Sequence, residues 1–117
     1  MRFLYFIILV SFFISCNSQK GIKPFTTDYC SCYPEGTVSD PNAWKDCCLK
    51  HDSLYWQGGT KQERMHADSL LYNCISQKGY QKKARLMHRF VRFWGSPYLP
   101  FSWRWGYGWS YGHGYIK

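Results

Sequence analysis

Acidic residues are scarce in this sequence, and beyond Asp68 there are none. All seven Asp and Glu lie between Asp28 and Asp68, against fifteen Lys and Arg along the chain. From Lys78 to Arg92, the residues Lys78, Lys82, Lys83, Arg85, Arg89 and Arg92 stand with no counter-charge of their own. Long apolar runs are also missing. The most continuous, Leu4 to Ile14, has the length of a signal-peptide core and is too short for a comfortable membrane span. With the basic start at Arg2, it predicts export. A length of 117 residues leaves room for one domain and little more.

The apolar run ends in Phe13-Ile14-Ser15-Cys16, a small residue followed by a cysteine. This resembles a bacterial lipoprotein processing site, with Cys16 as the lipidated N-terminus of the mature chain. It implies an exported protein of the bacterial cell envelope, anchored on a periplasmic or cell-surface membrane face. An ordinary signal peptide with an incidental cysteine is the alternative. Export implies an oxidising compartment, where the remaining Cys30, Cys32, Cys47, Cys48 and Cys74 suggest disulfides, with one thiol left over. Zinc is the competing explanation, but adjacent cysteines on one helix converge poorly on one ion. A basic segment on such a protein points to a phospholipid membrane surface, anionic for preference, as the partner. Nucleic acid is disfavoured by compartment, a merely solvated basic helix remains open, and a monomer is expected.

The chain divides into a signal peptide (1–15), a lipidated N-terminus and tether (16–27), a helical domain (28–94) and an aromatic, glycine-rich tail (95–117). Within the domain, Asp28 to Ser39 reads as a stapled loop. Ser39-Asp40-Pro41 gives a capped helix start, and the helix runs to about Trp56. Its stripe at helical spacing is Trp44, Cys47, Cys48, His51, Asp52 and Tyr55, so two ionisable groups interrupt an apolar face. Gln57-Gly58-Gly59 turns the chain, and Thr60-Lys61-Gln62-Glu63 is a capping box that starts a second helix ending near Lys78. Its predicted apolar stripe is Ala67, Leu70, Leu71, Cys74 and Ile75, with Asp68 at the margin. The short turn makes the pair antiparallel. A third helix is predicted from Tyr80 to Phe93, with Ala84, Leu86, Met87, Phe90, Val91 and Trp94 toward the inside. The tail, dense in Trp and Tyr interleaved with Gly, suits a membrane interface, a cover folded over the helices, or no fixed structure.

If Cys47 bonds Cys74, His51 and Asp68 lie roughly 6 and 9 Å from that staple in the same direction, at about 1.5 Å per residue. They can then face each other, the carboxylate orienting the ring and leaving its other nitrogen to take a proton from water. Asp52 points about 100° away from His51, toward the Cys30–Gly36 loop. A carboxylate beside a tight loop of carbonyls suits a hard cation with oxygen ligands, calcium above all. A buried structural network of the three residues is the plain alternative.

The run Cys47-Cys48-Leu49-Lys50-His51-Asp52-Ser53-Leu54-Tyr55 resembles the active-site helix of the secreted phospholipase A2 superfamily, Cys-Cys-x-x-His-Asp-x-x-Tyr. Asp68 followed by Cys74 is similar to that family's second active-site helix, and Cys30-x-Cys32 precedes Cys47 at the interval of its calcium loop. The short link between the helices resembles the compact prokaryotic members. The resemblance covers about Tyr29 to Cys74. It implies an all-α fold with a disulfide-linked antiparallel helix pair, a calcium-binding-type loop and a third basic helix. It implies His51 as general base, Asp68 as its orienting partner, and Tyr55 as donor of a supporting hydrogen bond. It implies Ca2+ held by Asp52 with the carbonyls of Ser31, Tyr33 and Glu35, and disulfides Cys47–Cys74 and Cys32–Cys48, with Cys30 unpartnered. The implied activity is calcium-dependent hydrolysis of phospholipid acyl esters. The loop departs from the family where glycines give way to Tyr33, Pro34 and Glu35, with only Gly36 kept. The rival expectation is a non-catalytic envelope lipoprotein that keeps the scaffold for membrane or partner binding.

Overall fold

The computed structural model describes residues 21–116; the expected signal peptide, Cys16 and the first part of the expected tether lie outside the described residues. Three helices make up its regular structure: α1 (Lys45–Gln57), α2 (Lys61–Gln77) and α3 (Gln81–Trp94). The described residues contain no strand, so this part of the chain is all-α. None of these helices is long and apolar enough to cross a membrane.

Helix α1 begins at Lys45, four residues later than the Pro41 start predicted above. The cause is a competition for backbone donors. The Trp44 N–H goes to the Glu35 carbonyl (3.0 Å), while the Asp40 carbonyl accepts from Thr37 (2.8 Å) and Ala43 (3.2 Å). Residues 41–44 are thereby held in turns, and the helical ladder starts only when Cys48 donates to the Trp44 carbonyl. Burial of Trp44 drives this: its indole is 1% exposed, meets the Tyr80 ring edge-on at 5.1 Å, and donates Nε1–H to the Pro34 carbonyl.

Helix α2 starts where the capping box predicts. The Thr60 hydroxyl accepts from the Glu63 N–H (3.1 Å) and the Glu63 carboxylate accepts from the Thr60 N–H (3.3 Å). Its buried face is rotated slightly from the expected one. Arg64, Ala67, Asp68, Leu71 and Ile75 are inside, Leu70 is exposed, and Asp68 sits at the centre rather than the margin. On α3, Ala84 and Met87 are buried as expected, whereas Leu86 and Trp94 are exposed.

Cross-links fix the directions. Cys47 bonds Cys74 while His51 meets Asp68, so α1 and α2 run antiparallel. Arg92 meets Asp68 while His88 packs on Tyr72, so α2 and α3 do likewise. Helix α2 is central, because the backbones of α1 and α3 each pack on it but not on one another. A cleft is left between the outer two helices.

The second disulfide differs from the expected pairing. Cys30, not Cys32, bonds Cys48, and Cys32 is an exposed thiol. Tyr29 (φ 59°) and Cys32 (φ 56°) both adopt left-handed backbone, and the Tyr33 N–H donates to the Cys30 carbonyl. This tight turn aims Cys30 into the core, at 8% exposure, and Cys32 outward.

Residues 95–116 fold back over the end of the helix pair. The last turn of a helix leaves carbonyls without partners. Here the tail supplies the donors: Gly106 N–H to Tyr55 (2.6 Å), Gly108 N–H to Trp56 (3.1 Å) and Trp109 Nε1–H to Gln57 (2.9 Å). Such approach requires glycine. Gly58 has φ 70°, and a Cβ there would lie 2.9 Å from Gly106 Cα. Residues 21–27, expected as part of the tether, are also bound in: Lys23 exchanges hydrogen bonds with Gly108 and Trp56, and Phe25 packs edge-on against Trp56.

Two outcomes follow for solution measurements. Thr60→Ala should cost about 1 kcal/mol, seen as a melting point lower by about 4–8 °C. Mass mapping of the non-reduced protein should recover Cys30 linked to Cys48 and Cys47 to Cys74; a Cys32–Cys48 peptide would contradict the loop conformation.

Candidate active site

Four side chains converge on Asp68, which is fully buried. His51 Nε2 lies 2.7 Å from Oδ1, and the Tyr55 hydroxyl donates to the same oxygen at 2.7 Å. Arg92 Nη1 donates to Oδ2 at 2.6 Å, and Arg64 Nε stands 4.0 Å from Oδ2. Burial pushes the Asp68 carboxyl up, but the hydrogen bond and charge of His51 and the hydrogen bonds of Tyr55 and Arg92 outweigh it and hold the group below its ordinary value. Asp68 is therefore ionised and can only accept. It follows that His51 Nε2 carries a proton toward Asp68, so that in the neutral imidazole Nδ1 is the bare nitrogen; among the described residues Nδ1 has no partner. Burial and the Asp68 charge push the Tyr55 phenol upward, keeping it a donor.

The His51 ring, 7% exposed, lines the cleft between the outer helices. Asp52, Tyr55 and Cys48 from α1, Leu71 from α2, Met87, Phe90 and Val91 from α3, and Trp103 from the tail share the lining. Tyr29, Ser31 and Tyr33 of the N-terminal loop close one side. The chamber is thus mostly apolar, with an imidazole and a carboxylate at its polar end.

Asp52 is 9% exposed, and Thr27 donates its hydroxyl to Oδ2 at 2.6 Å. Burial, opposed by the Thr27 hydrogen bond and aided by the charge of Asp28, raises its carboxyl to about 7. Among the described residues no cation pairs with it. A buried carboxylate lacking a counter-charge, in a cleft it shares with Ser31 and Tyr33, whose carbonyls accept no hydrogen bond from described residues, has the donor chemistry that suits a hard cation such as calcium. Glu35 does not join them. Its carbonyl takes the Trp44 N–H, its carboxylate lies 3.9 Å from Lys45 Nζ, and it is absent from the cleft lining.

The expected His51, Asp68 and Tyr55 cluster is brought together, and Asp52, Ser31 and Tyr33 are gathered beside it. Glu35 is left out, and Cys48 is stapled to Cys30 rather than Cys32. Sequence reasoning missed Arg64, Arg92 and Thr27. Arg64 carried a signal, one helical turn before Asp68 on the same face. Arg92 and Thr27 carried none, being distant partners chosen by packing. No family model, curated protein or solved structure matches the chain.

The raised Asp52 value sets a pH dependence. Between its ordinary 3.8 and about 7 the folded state binds more protons than the unfolded state, so stability falls as pH rises through that window. Asp68 acts oppositely, contributing stability above its unfolded value that is lost as pH falls below it. Asp52→Asn, whose amide oxygen still accepts from Thr27, should flatten the melting-temperature profile between about pH 4.5 and 8 and melt above wild type near the upper end. A profile unchanged by the substitution would refute the assignment.

Proposed function

We propose that this protein is a phospholipase A2-like hydrolase that cleaves acyl esters of phospholipids, calcium-dependently, at a membrane surface in the bacterial cell envelope. The observation carrying this reading is a buried imidazole whose Nε2 is held by an ionised aspartate while its ring faces an apolar cleft. Such an imidazole has one bare nitrogen available to a water molecule, which it activates as general base. Nδ1 takes the proton as the water oxygen attacks the ester carbonyl, and returns it to the departing alcohol as the C–O bond breaks. Asp68 stabilises the imidazolium formed between these steps.

Asp52, with the carbonyls of Ser31 and Tyr33, would hold the calcium ion. When bound, calcium supplies Lewis-acid polarisation of the ester carbonyl. The apolar walls from Leu71, Met87, Phe90 and Val91 suit an acyl chain. By analogy with the family, the scissile ester is that of the sn-2 chain.

The surface supports an interfacial setting. Leu86, Phe93 and Trp94 are exposed on α3, which also bears Lys82, Lys83, Arg85 and Arg89. Trp94 meets Phe101 edge-on, and Phe101 stacks at 4.8 Å on Trp103, which lines the cleft. An apolar, aromatic path therefore leads from the basic helix to the cleft, the pairing of residue types that anionic bilayers attract. Lipidation at Cys16 would keep the site at that surface.

Purified protein should release fatty acid from phospholipid mixed micelles in calcium and not in chelator. His51→Gln should reduce the rate between about 10²- and 10⁴-fold while leaving the melting curve and liposome binding intact. Equal, background release by wild type and variant, with liposome binding retained, would favour a non-catalytic envelope lipoprotein instead.

A further inference from the structure

Arg92 makes the shortest contact to Asp68, yet it belongs to neither helix of the motif-bearing pair. Its role follows from how the donors around Asp68 are shared out. Tyr55 and His51 both occupy Oδ1, which leaves Oδ2 to be satisfied by something else. Arg64 does not do so. Its Nε bonds the Tyr55 hydroxyl (3.1 Å), Nη1 bonds the Tyr115 hydroxyl (2.6 Å), and Nη2 bonds the carbonyls of Val91 (2.9 Å) and Arg92 (2.7 Å). Those carbonyls belong to the last turn of α3, where that of Val91 also accepts from the Gly95 N–H and that of Arg92 has no helical partner. Arg64 thus fixes the backbone of residue 92 against α2, and the Arg92 side chain reaches from that fixed point to Oδ2.

We propose that Arg92 is a positioning residue for the hydrolytic site, holding Asp68 Oδ2 so that Oδ1 stays on His51 Nε2 and Nδ1 stays the bare nitrogen. The link to turnover rests on the reading of His51 as general base; the hold on the imidazole does not. A carboxylate engaged on one oxygen only can pivot about its Cβ–Cγ bond. One engaged on both, by donors from two different helices, is fixed in plane and direction. The ring it orients is then limited to one tautomer and one tilt. The charge-assisted contact at 2.6 Å suits this, since an ionised donor and acceptor give the strongest and most directional hydrogen bonds. Arg92 is also half-buried beside the exposed Phe93 and Trp94, so the side chain that steadies Asp68 belongs to the surface helix expected to meet lipid.

The test is a long-range 1H–15N correlation spectrum of histidine-labelled full-length protein in detergent, read together with fatty-acid release. Wild type should show His51 as a single Nε2–H tautomer. Arg92→Met should show both tautomers of His51, and kcat should fall about 10²-fold with KM changed less than about twofold, because misorientation of the base acts on turnover rather than on lipid binding. Arg92→Lys should restore the single tautomer and most of kcat. Arg92→Gln, uncharged and with its amide too close to the backbone to reach Asp68 Oδ2, serves if the methionine variant fails to fold. A single, wild-type tautomer in a folded Arg92→Met or Arg92→Gln protein overturns the proposal. So does failure of both to fold while Arg92→Lys folds, since Arg92 would then serve the fold alone. Should wild type release no fatty acid while the tautomer still depends on Arg92, the hydrolase reading falls and the positioning role stands.

Discussion

A carboxylate with no access to water has to be compensated on every lone pair or it destabilises the fold, and Asp68 is such a group. Taking a charge out of water costs several kcal/mol before any partner is counted. Each neighbour of Asp68 can be read as part of the compensation: an imidazole and a phenol from α1, a guanidinium from α3, and a second guanidinium from α2 itself. The same contacts fix the height and rotation of all three helices. The arrangement proposed to act on esters is also the polar centre of the fold, so that one set of hydrogen bonds would serve both.

Arg64 extends that centre outward. Its donors tie together Tyr55 on α1, the end of α3 and Tyr115 in the tail, so one side chain joins four parts of the chain. The tail in turn caps α1 through Gly106, Gly108 and Trp109, and the Trp105 indole donates to the Gly59 carbonyl in the inter-helix turn. A small domain with two disulfides gains much from this. The glycines allow backbone to lie against backbone, and the aromatic rings between them cover the apolar surface that three short helices leave open.

Asp52 stands in contrast to Asp68. Both are buried carboxylates, but one has two guanidinium groups close by and the other has only a threonine hydroxyl and a like charge. That asymmetry pushes the two groups to opposite sides of their ordinary values. It separates a carboxylate whose charge is balanced from one whose charge is not, among the described residues.

Much of this was legible along the chain. The three helices and the capping box at Thr60 follow from helical spacing and a short turn, and so does the meeting of His51 and Asp68 once Cys47 is taken to bond Cys74; that link and the Tyr55 hydrogen bond were legible only through the resemblance of the motif. The sequence by itself therefore determined the helix pair and the core of the site. Only the tertiary structure decided the delayed start of α1, the choice of Cys30 over Cys32, the exclusion of Glu35, the path of the tail and the entry of Arg92 and Thr27. Those depend on which donors and side chains meet across long separations. No residue spacing encodes that competition; it is settled when the burial of Trp44 and Asp68 fixes what lies within reach.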